Sequence, residues 1–100
     1  MELNEKTVEA ILRWKDDLDS LAQEIDAEDP LTVKMDLERD LARIMKAFDR
    51  MTNERKRERI EMYLFSDMTQ IEQANYFNTS QPNIKRDYLR ALRALIRLIE

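Results

Sequence analysis

Arginine side chains near the C-terminus are the residues whose type and spacing suggest a chemistry most directly. They recur at intervals of four, three and four residues, as Arg86, Arg90, Arg93 and Arg97. On a helix that turns by about 100° per residue, they share an arc about 60° wide. Lys85 adds to their charge, and Asp87 is the only acidic residue within 79–99. This spacing predicts a cationic helix face that attracts a polyanion; the alternative is that the arginines are only solvated.

The composition excludes several other kinds of chemistry. The chain of 100 residues contains no histidine, no cysteine and no glycine. It therefore lacks the groups for most nucleophilic and general-base catalysis and for transition-metal binding, and it cannot form a glycine-rich phosphate loop. Glu54, Glu58 and Glu61 share one helix face, but the mixed charges of residues 54–59 favour a solvated surface over a cation site. We expect no catalytic residue, no metal site, no cofactor and no enzymatic activity.

The cationic face belongs to a helix whose opposite face is apolar. The apolar positions are Ile84, Tyr88, Leu92, Leu95 and Ile99. They predict a core-facing side for a helix over residues 81–98. Ser80 is its expected N-cap, and Pro82 falls in the first turn, where the missing N–H is not needed.

A short helix is predicted immediately before this basic helix. Thr69 and Glu72 form a capping-box pattern that starts a helix over residues 69–77. Asn78 follows it, and asparagine tolerates the left-handed backbone conformation that such a turn requires. A short helix, a tight turn and a long basic helix form the pattern of a helix-turn-helix, which places its second helix in the major groove of DNA.

Three more helices are predicted upstream. They cover residues 4–27, 32–50 and 53–65. The first should end before Asp29 and Pro30, because proline disfavours a helical residue before it. Thr32 and Asn53 are the expected N-caps of the next two helices. Since the chain has no glycine and only two prolines, we predict an all-α fold of about five helices.

The charge is distributed unevenly along the chain. Residues 1–50 carry 14 acidic and 8 basic side chains, a net charge of −6, and residues 51–100 carry 7 acidic and 9 basic ones, a net charge of +2. We divide the chain into an acidic amphipathic segment, residues 1–30, and a helix-turn-helix domain, residues 31–100. The apolar runs are too short for a signal peptide or a membrane-spanning helix, so we expect a cytoplasmic location.

The C-terminal helix resembles the recognition helix of bacterial sigma factors of the sigma-70 family. In the fourth conserved region of that family a common pattern is SQxxVSRxxxxALxxL, and the matching residues are Ser80, Gln81, Ile84, Arg86, Ala91, Leu92 and Leu95. With the similar stretches at 54–55, 62–65 and 69–74, the resemblance covers about residues 37–98. Gln73 replaces an isoleucine of the family pattern, with Ile71 expected to fill the gap, and Asn78 replaces the turn glycine.

The resemblance implies that the first turns of this helix contact an upstream promoter element. The expected DNA-binding residues are Gln81, Pro82, Asn83, Lys85, Arg86, Arg90, Arg93 and Arg97. Gln81 suits a bidentate contact with adenine and Arg86 one with guanine, whereas the later arginines suit phosphates. Pro82 has no polar side chain, so we expect a base preference different from the family's consensus.

The resemblance also implies a protein partner. The helices over residues 37–65 would form the surface that grips the flap of the RNA polymerase β subunit. The candidate residues are Leu41, Ile44, Met45 and Phe48, whose alternative use is an intramolecular core. Residues 1–36 do not accommodate the family's promoter-melting domain, so the chain is not expected to open a promoter alone.

The acidic N-terminal segment carries an apolar stripe of its own. Its members are Ile11, Trp14, Leu18, Leu21 and Ile25. The stripe can pack on its own domain, form a homodimer, or bind RNA polymerase or a sigma factor.

Two functions follow. One is a transcription regulator that binds double-stranded DNA sequence-specifically; the other is an interaction factor (sigma mimic, anti-sigma or appropriator) for which DNA contact is secondary.

Overall fold

The computed structural model describes residues 2–100 as an all-helical chain, which confirms the predicted fold class. The described residues form six helices: α1 Glu5–Arg13, α2 Leu18–Ile25, α3 Pro30–Arg50, α4 Glu54–Phe65, α5 Gln70–Tyr76 and α6 Gln81–Arg97. The predicted count of five is wrong because the N-terminal stretch forms two helices. None of the helices within residues 2–100 combines the length and the hydrophobicity that crossing a membrane requires.

The chain turns between α1 and α2 because Asp17 caps a new helix. Its Oδ1 accepts a hydrogen bond from the backbone N–H of Ser20 at 3.3 Å, and its Oδ2 accepts one from Ser20 Oγ at 2.7 Å. An aspartate that satisfies free N–H groups stabilises a helix start more than a helix interior. The apolar spacing continues across this turn, from Ile11 to Leu18, so that periodicity alone predicted one helix over residues 4–27.

The long helix α3 starts two residues earlier than its predicted N-cap. Asp29 occupies the N-cap position without a side-chain hydrogen bond, and Pro30 begins the helix. Proline is well suited to the first helical position because its fixed φ matches the helix and its missing N–H is not needed there. Thr32 lies inside the first turn and is exposed. Its prediction as N-cap is therefore wrong.

The start of α4 is capped as the sequence predicts. Asn53 accepts a hydrogen bond from the backbone N–H of Lys56 at 3.1 Å. Thr69 and Glu72 form the full capping box at the start of α5. Ser80 occupies the N-cap position of α6, but its side chain makes no capping hydrogen bond.

One apolar core joins five of the six helices. Its largest fully buried members include Ile11 and Leu12 of α1, Ile44 of α3, Ile60 of α4 and Tyr88 of α6. The two predicted segments, residues 1–30 and 31–100, both contribute side chains to this core. On α6 the predicted apolar face is confirmed: four of its members are buried and Ile99 is partly buried.

The apolar stripe of the N-terminal segment packs mainly inside the same chain. Ile11, Leu18 and Leu21 are buried in the common core, and Trp14 packs against it partly buried. Ile25, at the end of α2, is 47% exposed. Internal packing, one of the three uses predicted for this stripe, therefore describes most of it, and the stripe is not an exposed seam.

Tyr88 links three helices through contacts of different kinds. Its hydroxyl donates a hydrogen bond to Glu9 Oε1 of α1 at 2.7 Å. Its ring stacks on that of Tyr63 in α4, with centroids 3.9 Å apart and planes 10° from parallel. Burial and the hydrogen bond to Glu9 raise the pKa of Tyr88 well above its ordinary value. The hydroxyl therefore stays protonated in the folded chain.

We predict that Tyr88→Phe lowers the free energy of unfolding by about 1–2 kcal/mol at neutral pH, because it leaves Glu9 without this donor. In the unfolded chain the tyrosine ionises near its ordinary pKa of about 10. The folded-state pKa is higher than this value. The hydroxyl's contribution to stability is therefore complete below about pH 10, the unfolded-state pKa, and declines as the pH rises above it. Urea denaturation at neutral and alkaline pH measures both effects.

The exposed Tyr76 provides the control, since Tyr76→Phe should change stability little at neutral pH. A difference between wild type and Tyr88→Phe that stays the same from neutral to strongly alkaline pH would contradict the assigned role.

Candidate nucleic-acid interface

The turn between α5 and α6 is closed by two backbone hydrogen bonds. The N–H of Thr79 donates to the carbonyl of Ala74 at 2.9 Å, and that of Asn78 donates to the carbonyl of Asn75 at 3.2 Å. This is the pairing of a Schellman motif, which requires a left-handed residue at the position of Asn78. Asn78 has φ 54°, which confirms the predicted left-handed asparagine. The turn therefore fixes where α6 begins relative to α5.

A buried amide holds the start of α5. Gln73 is almost fully buried, and its Nε2 donates a hydrogen bond to the carbonyl of Met68 at 3.0 Å. A buried polar side chain is tolerated when it is hydrogen-bonded in this way. Ile71 is 62% exposed, so the expectation that it fills the gap beneath Gln73 is wrong.

Almost all the predicted DNA-binding side chains lie on the exposed surface of α6. The exposed members are Gln81, Pro82, Lys85, Arg86, Arg90, Arg93 and Arg97. Asn83 differs: it is half-buried, and its Nδ2 donates to Thr79 Oγ1 at 3.1 Å. This hydrogen bond makes Asn83 part of the turn. The first two turns of α6 thus present an amide, an ammonium and a guanidinium group to solvent.

Two acidic residues lie against the arginine face. Asp87 pairs with Arg86 at 3.8 Å and with Arg90 at 3.9 Å. From α1, Glu5 Oε1 accepts a hydrogen bond from Arg93 Nε. The helix spacing placed no acidic residue on this face, but the fold brings Glu5 to it from a distant part of the sequence. Intramolecular ion pairs therefore engage three of the four arginines.

Lys85 and Arg97 are the two remaining basic residues of α6. Within residues 2–100, neither side chain lies within ion-pairing distance of a carboxylate. Their positive charges are therefore available to an external anion without the loss of an internal contact.

Arg59 is a buried residue that the sequence assigned to a solvated run. Its guanidinium Nη2 lies 3.5 Å from Asp87 Oδ2, and its Cζ lies 3.8 Å from the centroid of the Phe77 ring. Burial lowers the pKa of Arg59 from its ordinary value, and Asp87 counteracts this shift. The missed signal is its spacing: Arg59 precedes Tyr63 by four residues, and Tyr63 packs against the core, so both lie on the inner side of α4.

A second group of cations adjoins α6 at the start of α4. Arg55, Lys56, Arg59 and Arg90, together with Asn53 and Asp87, line an open depression of about 320 Å³. The free N–H groups at a helix N-terminus add partial positive charge to such a place. The cationic surface thus extends from Arg90 of α6 to the first turn of α4.

The residues predicted to contact a protein partner divide into two groups. Ile44 and Phe48 are buried, whereas Leu41 and Met45 are only partly buried. The internal core is therefore the main use of Ile44 and Phe48. Met45 and Phe48 also line an open depression of about 690 Å³ with Met62, Leu64 and Phe65. The other half of its lining is polar or charged: Arg13, Lys15, Asp16, Glu61 and Ser66. Phe65 is 43% exposed at its edge.

Comparisons with protein-family models, curated proteins and solved structures found no match. Within residues 2–100, acidic side chains form no group of three or more with the proximity that metal binding requires. The candidate interface is thus defined by the exposure, charge and local geometry of α4, α5 and α6.

We predict that Asp87→Asn lowers the free energy of unfolding by about 1–3 kcal/mol, because it removes the charged partner of the buried Arg59 guanidinium. Thermal unfolding followed by circular dichroism measures the change. Asp67→Asn is a matched control, since Asp67 is exposed and makes no ion pair within residues 2–100. Equal effects of the two substitutions would contradict a stabilising role for the pair between Arg59 and Asp87.

Proposed function

We propose that the chain is a sequence-specific DNA-binding transcription regulator in which α5, the turn and α6 act as a helix-turn-helix. The observation that carries this proposal is the arrangement of α6: its apolar face is buried, and all five of its basic side chains are exposed. A surface helix usually mixes acidic and basic side chains, whereas the only acid of α6 is Asp87. One helix with a firmly packed inner face and a cationic outer face suits the major groove.

The exposed side chains at the start of α6 fit the contacts that specify bases. Gln81 offers an amide for the paired donor and acceptor of adenine, and Arg86 offers a guanidinium for the two acceptors of guanine. Arg86 lies 3.8 Å from Asp87, a contact that it would loosen on reaching a base. Pro82 offers neither donor nor acceptor, so the base beneath it would be selected by shape alone.

The later arginines of α6 fit contacts with the phosphate backbone. Arg97 makes no ion pair within residues 2–100 and needs no rearrangement, whereas Arg93 must exchange Glu5 for a phosphate. The same duplex could also contact Arg55 and Lys56, because these two residues and Arg90 line one depression. Binding through several phosphates depends steeply on salt, because each contact releases a counterion.

The resemblance of residues 37–98 to the fourth region of sigma factors supports a role at promoters. A regulator of this kind acts either alone on an operator or by placing RNA polymerase at particular promoters. The acidic N-terminal half, with its net charge of −6, disfavours contact with DNA outside the C-terminal helices. We therefore assign DNA binding to α6 and the adjoining start of α4.

We predict different consequences for two arginines in a gel-shift assay with DNA selected from a random pool. Arg86→Ala should relax the preference at one base pair. It should weaken binding to the preferred duplex by about 1–3 kcal/mol. Arg97→Ala should weaken all sequences alike and reduce the slope of log affinity against log salt by about 1.

Arg39→Ala is the matched control, since Arg39 is an exposed arginine of α3 whose nearest acidic partner is Asp36, at 3.3 Å. It should leave affinity, base preference and salt slope unchanged. If both α6 variants behave like this control, α6 is not the DNA-binding helix.

The second candidate function is an interaction factor for RNA polymerase or a sigma factor. The depression that contains Met45, Phe48, Met62, Leu64 and Phe65 favours it, because apolar side chains bordered by polar and charged ones offer contact area to a partner. A pull-down of the tagged chain from a bacterial lysate, treated with DNase, tests for direct contact with polymerase. Recovery of RNA polymerase despite DNase, together with no effect of Arg86→Ala and Arg97→Ala in the gel shift, supports the interaction factor. Loss of polymerase together with the DNA supports a regulator that acts alone on an operator.

A further inference from the structure

The depression at the start of α4 contains more positive charge than its one acidic residue balances. Four of the six lining residues are basic and one is acidic, a net charge of +3: Asn53, Arg55, Lys56, Arg59, Asp87 and Arg90. Every one of these side chains is polar or charged, so the depression offers no contact to an apolar ligand. Like charges that line one depression repel each other, and an anion among them relieves this repulsion.

Asp87 is shared among three guanidinium groups. Its carboxylate oxygens lie 3.5 Å from Arg59, 3.8 Å from Arg86 and 3.9 Å from Arg90. A close charge-assisted hydrogen bond has about 2.7–2.9 Å between its heavy atoms. Within residues 2–100, none of these three side chains pairs with another carboxylate. The guanidinium groups therefore keep hydrogen-bonding capacity for an external anion.

Arg59 is the least exposed residue of the depression. Its side chain is 10% exposed, and its Nη1 is a buried atom without a hydrogen-bond acceptor in the described part of the chain. Buried donors of this kind are rare in proteins, because an unpaired buried donor costs free energy. Burial lowers the pKa of Arg59, and the positive charge of Arg55 contributes to the lowering. Arg59 is thus a partly neutralised cation at the floor of the depression.

The backbone at the start of α4 adds donors to the same place. Asn53 Oδ1 accepts a hydrogen bond from the N–H of Lys56, and the carbonyl of Asn53 accepts one from the N–H of Arg57, each at 3.1 Å. The first N–H groups of a helix have no partner inside the helix, which leaves those of Glu54 and Arg55 for an external acceptor. The partial positive charge of a helix N-terminus favours an anionic acceptor.

We propose that this depression binds the terminal phosphate of a small phosphorylated molecule. A phosphate monoester carries a charge of about −1.5 to −2 at neutral pH and three strong acceptor oxygens. A carboxylate, or a phosphodiester of DNA, has a single charge and two free oxygens. The monoester therefore matches the net charge of +3 and the donors of side chains and backbone better than either of these.

Each donor has a separate part in holding the phosphate. Lys56 and Arg90 pair with it from the exposed rim, and the N–H of Arg55 donates from the helix start. Arg59 donates from the floor after a small adjustment of its side chain, because Nη1 is closed off in the free chain. The depression, of about 320 Å³, lies at the lower end of small-molecule sites, about 300–1,000 Å³.

The phosphate site goes beyond the proposed function, because a phosphorylated small molecule binds to it without DNA. Arg55, Lys56 and Arg90 are also assigned to contacts with DNA, so the small molecule and a duplex should compete for them. Only this competition rests on the proposed function.

Nuclear magnetic resonance titration of the full chain tests the proposal in the absence of DNA. The probes are inorganic phosphate and a nucleoside 5′-monophosphate, at constant ionic strength. Both should saturate one site, with the largest shifts at the amides of Glu54 and Arg55, and the nucleoside without its phosphate should not bind. Dimethyl phosphate, which has the charge of a DNA backbone phosphate, should bind at least about fivefold more weakly than inorganic phosphate.

Two substitutions should weaken phosphate binding. Lys56→Gln should raise the dissociation constant of inorganic phosphate about fivefold, because it removes a cation from the rim. Arg59→Lys should raise it about tenfold, because it keeps the charge but removes the planar pair of donors. Arg57→Gln is the matched control and should leave it unchanged, since Arg57 lies in the same turn but lines a different depression, which contains three glutamates. Lys56 is exposed, so Lys56→Gln should keep the wild-type circular dichroism spectrum.

Three results would overturn the proposal. The first is dimethyl phosphate that binds as tightly as inorganic phosphate, which would make the depression a contact for the DNA backbone only. The second is an equal effect of Lys56→Gln and Arg57→Gln. The third is a nucleoside that binds as tightly as its monophosphate, or the absence of saturable binding of both phosphate probes. Because the titrations contain no DNA, a failure of the proposed DNA binding in the gel shift would leave their results unchanged.

Discussion

The burial of the apolar face of α6 is the constraint on which the rest of the structure depends. Tyr88 shows it most clearly: its ring stacks on Tyr63 of α4 and its hydroxyl donates to Glu9 of α1. Because these contacts fix the rotation of α6 about its axis, the arginines on the other side must face outward. The same packing positions the start of α6, where Gln81 and Lys85 are exposed. The candidate interface is thus a consequence of the core.

The electrostatics of the interface are a balance between internal and external partners. Asp87 and Glu5 hold three of the arginines of α6 at exposed sites, where an ion pair is worth at most about 1 kcal/mol. Phosphates of DNA can replace these carboxylates at a small cost in free energy. Without DNA, the carboxylates restrict the conformations of the arginine side chains. Arg59 is different because it is buried between Asp87 and the Phe77 ring. Its contacts stabilise the fold and join α4 to the turn before α6.

Short sequence patterns predicted those parts of the fold that depend on interactions between residues close in the sequence. The capping box at Thr69, the left-handed Asn78 and the two faces of α6 belong to this class, and all three are confirmed. The break before α2 was missed because the apolar spacing continues through the turn at Asp17. The contact of Glu5 with Arg93 spans 88 residues, so no local pattern predicts it. Such patterns do not specify the DNA sequence or the partners of the exposed surfaces. DNA binding and partner binding therefore stay predictions.

The assignment of DNA binding to α6 and the adjoining start of α4 is tested most directly by nuclear magnetic resonance. The measurement follows the backbone amides of the full chain while a duplex selected from a random pool is added. We predict that the largest chemical-shift changes occur at residues 81–90 and 53–59, and that amides along residues 31–46 change little. Changes that avoid residues 81–90, or no changes at low salt, would contradict the assignment.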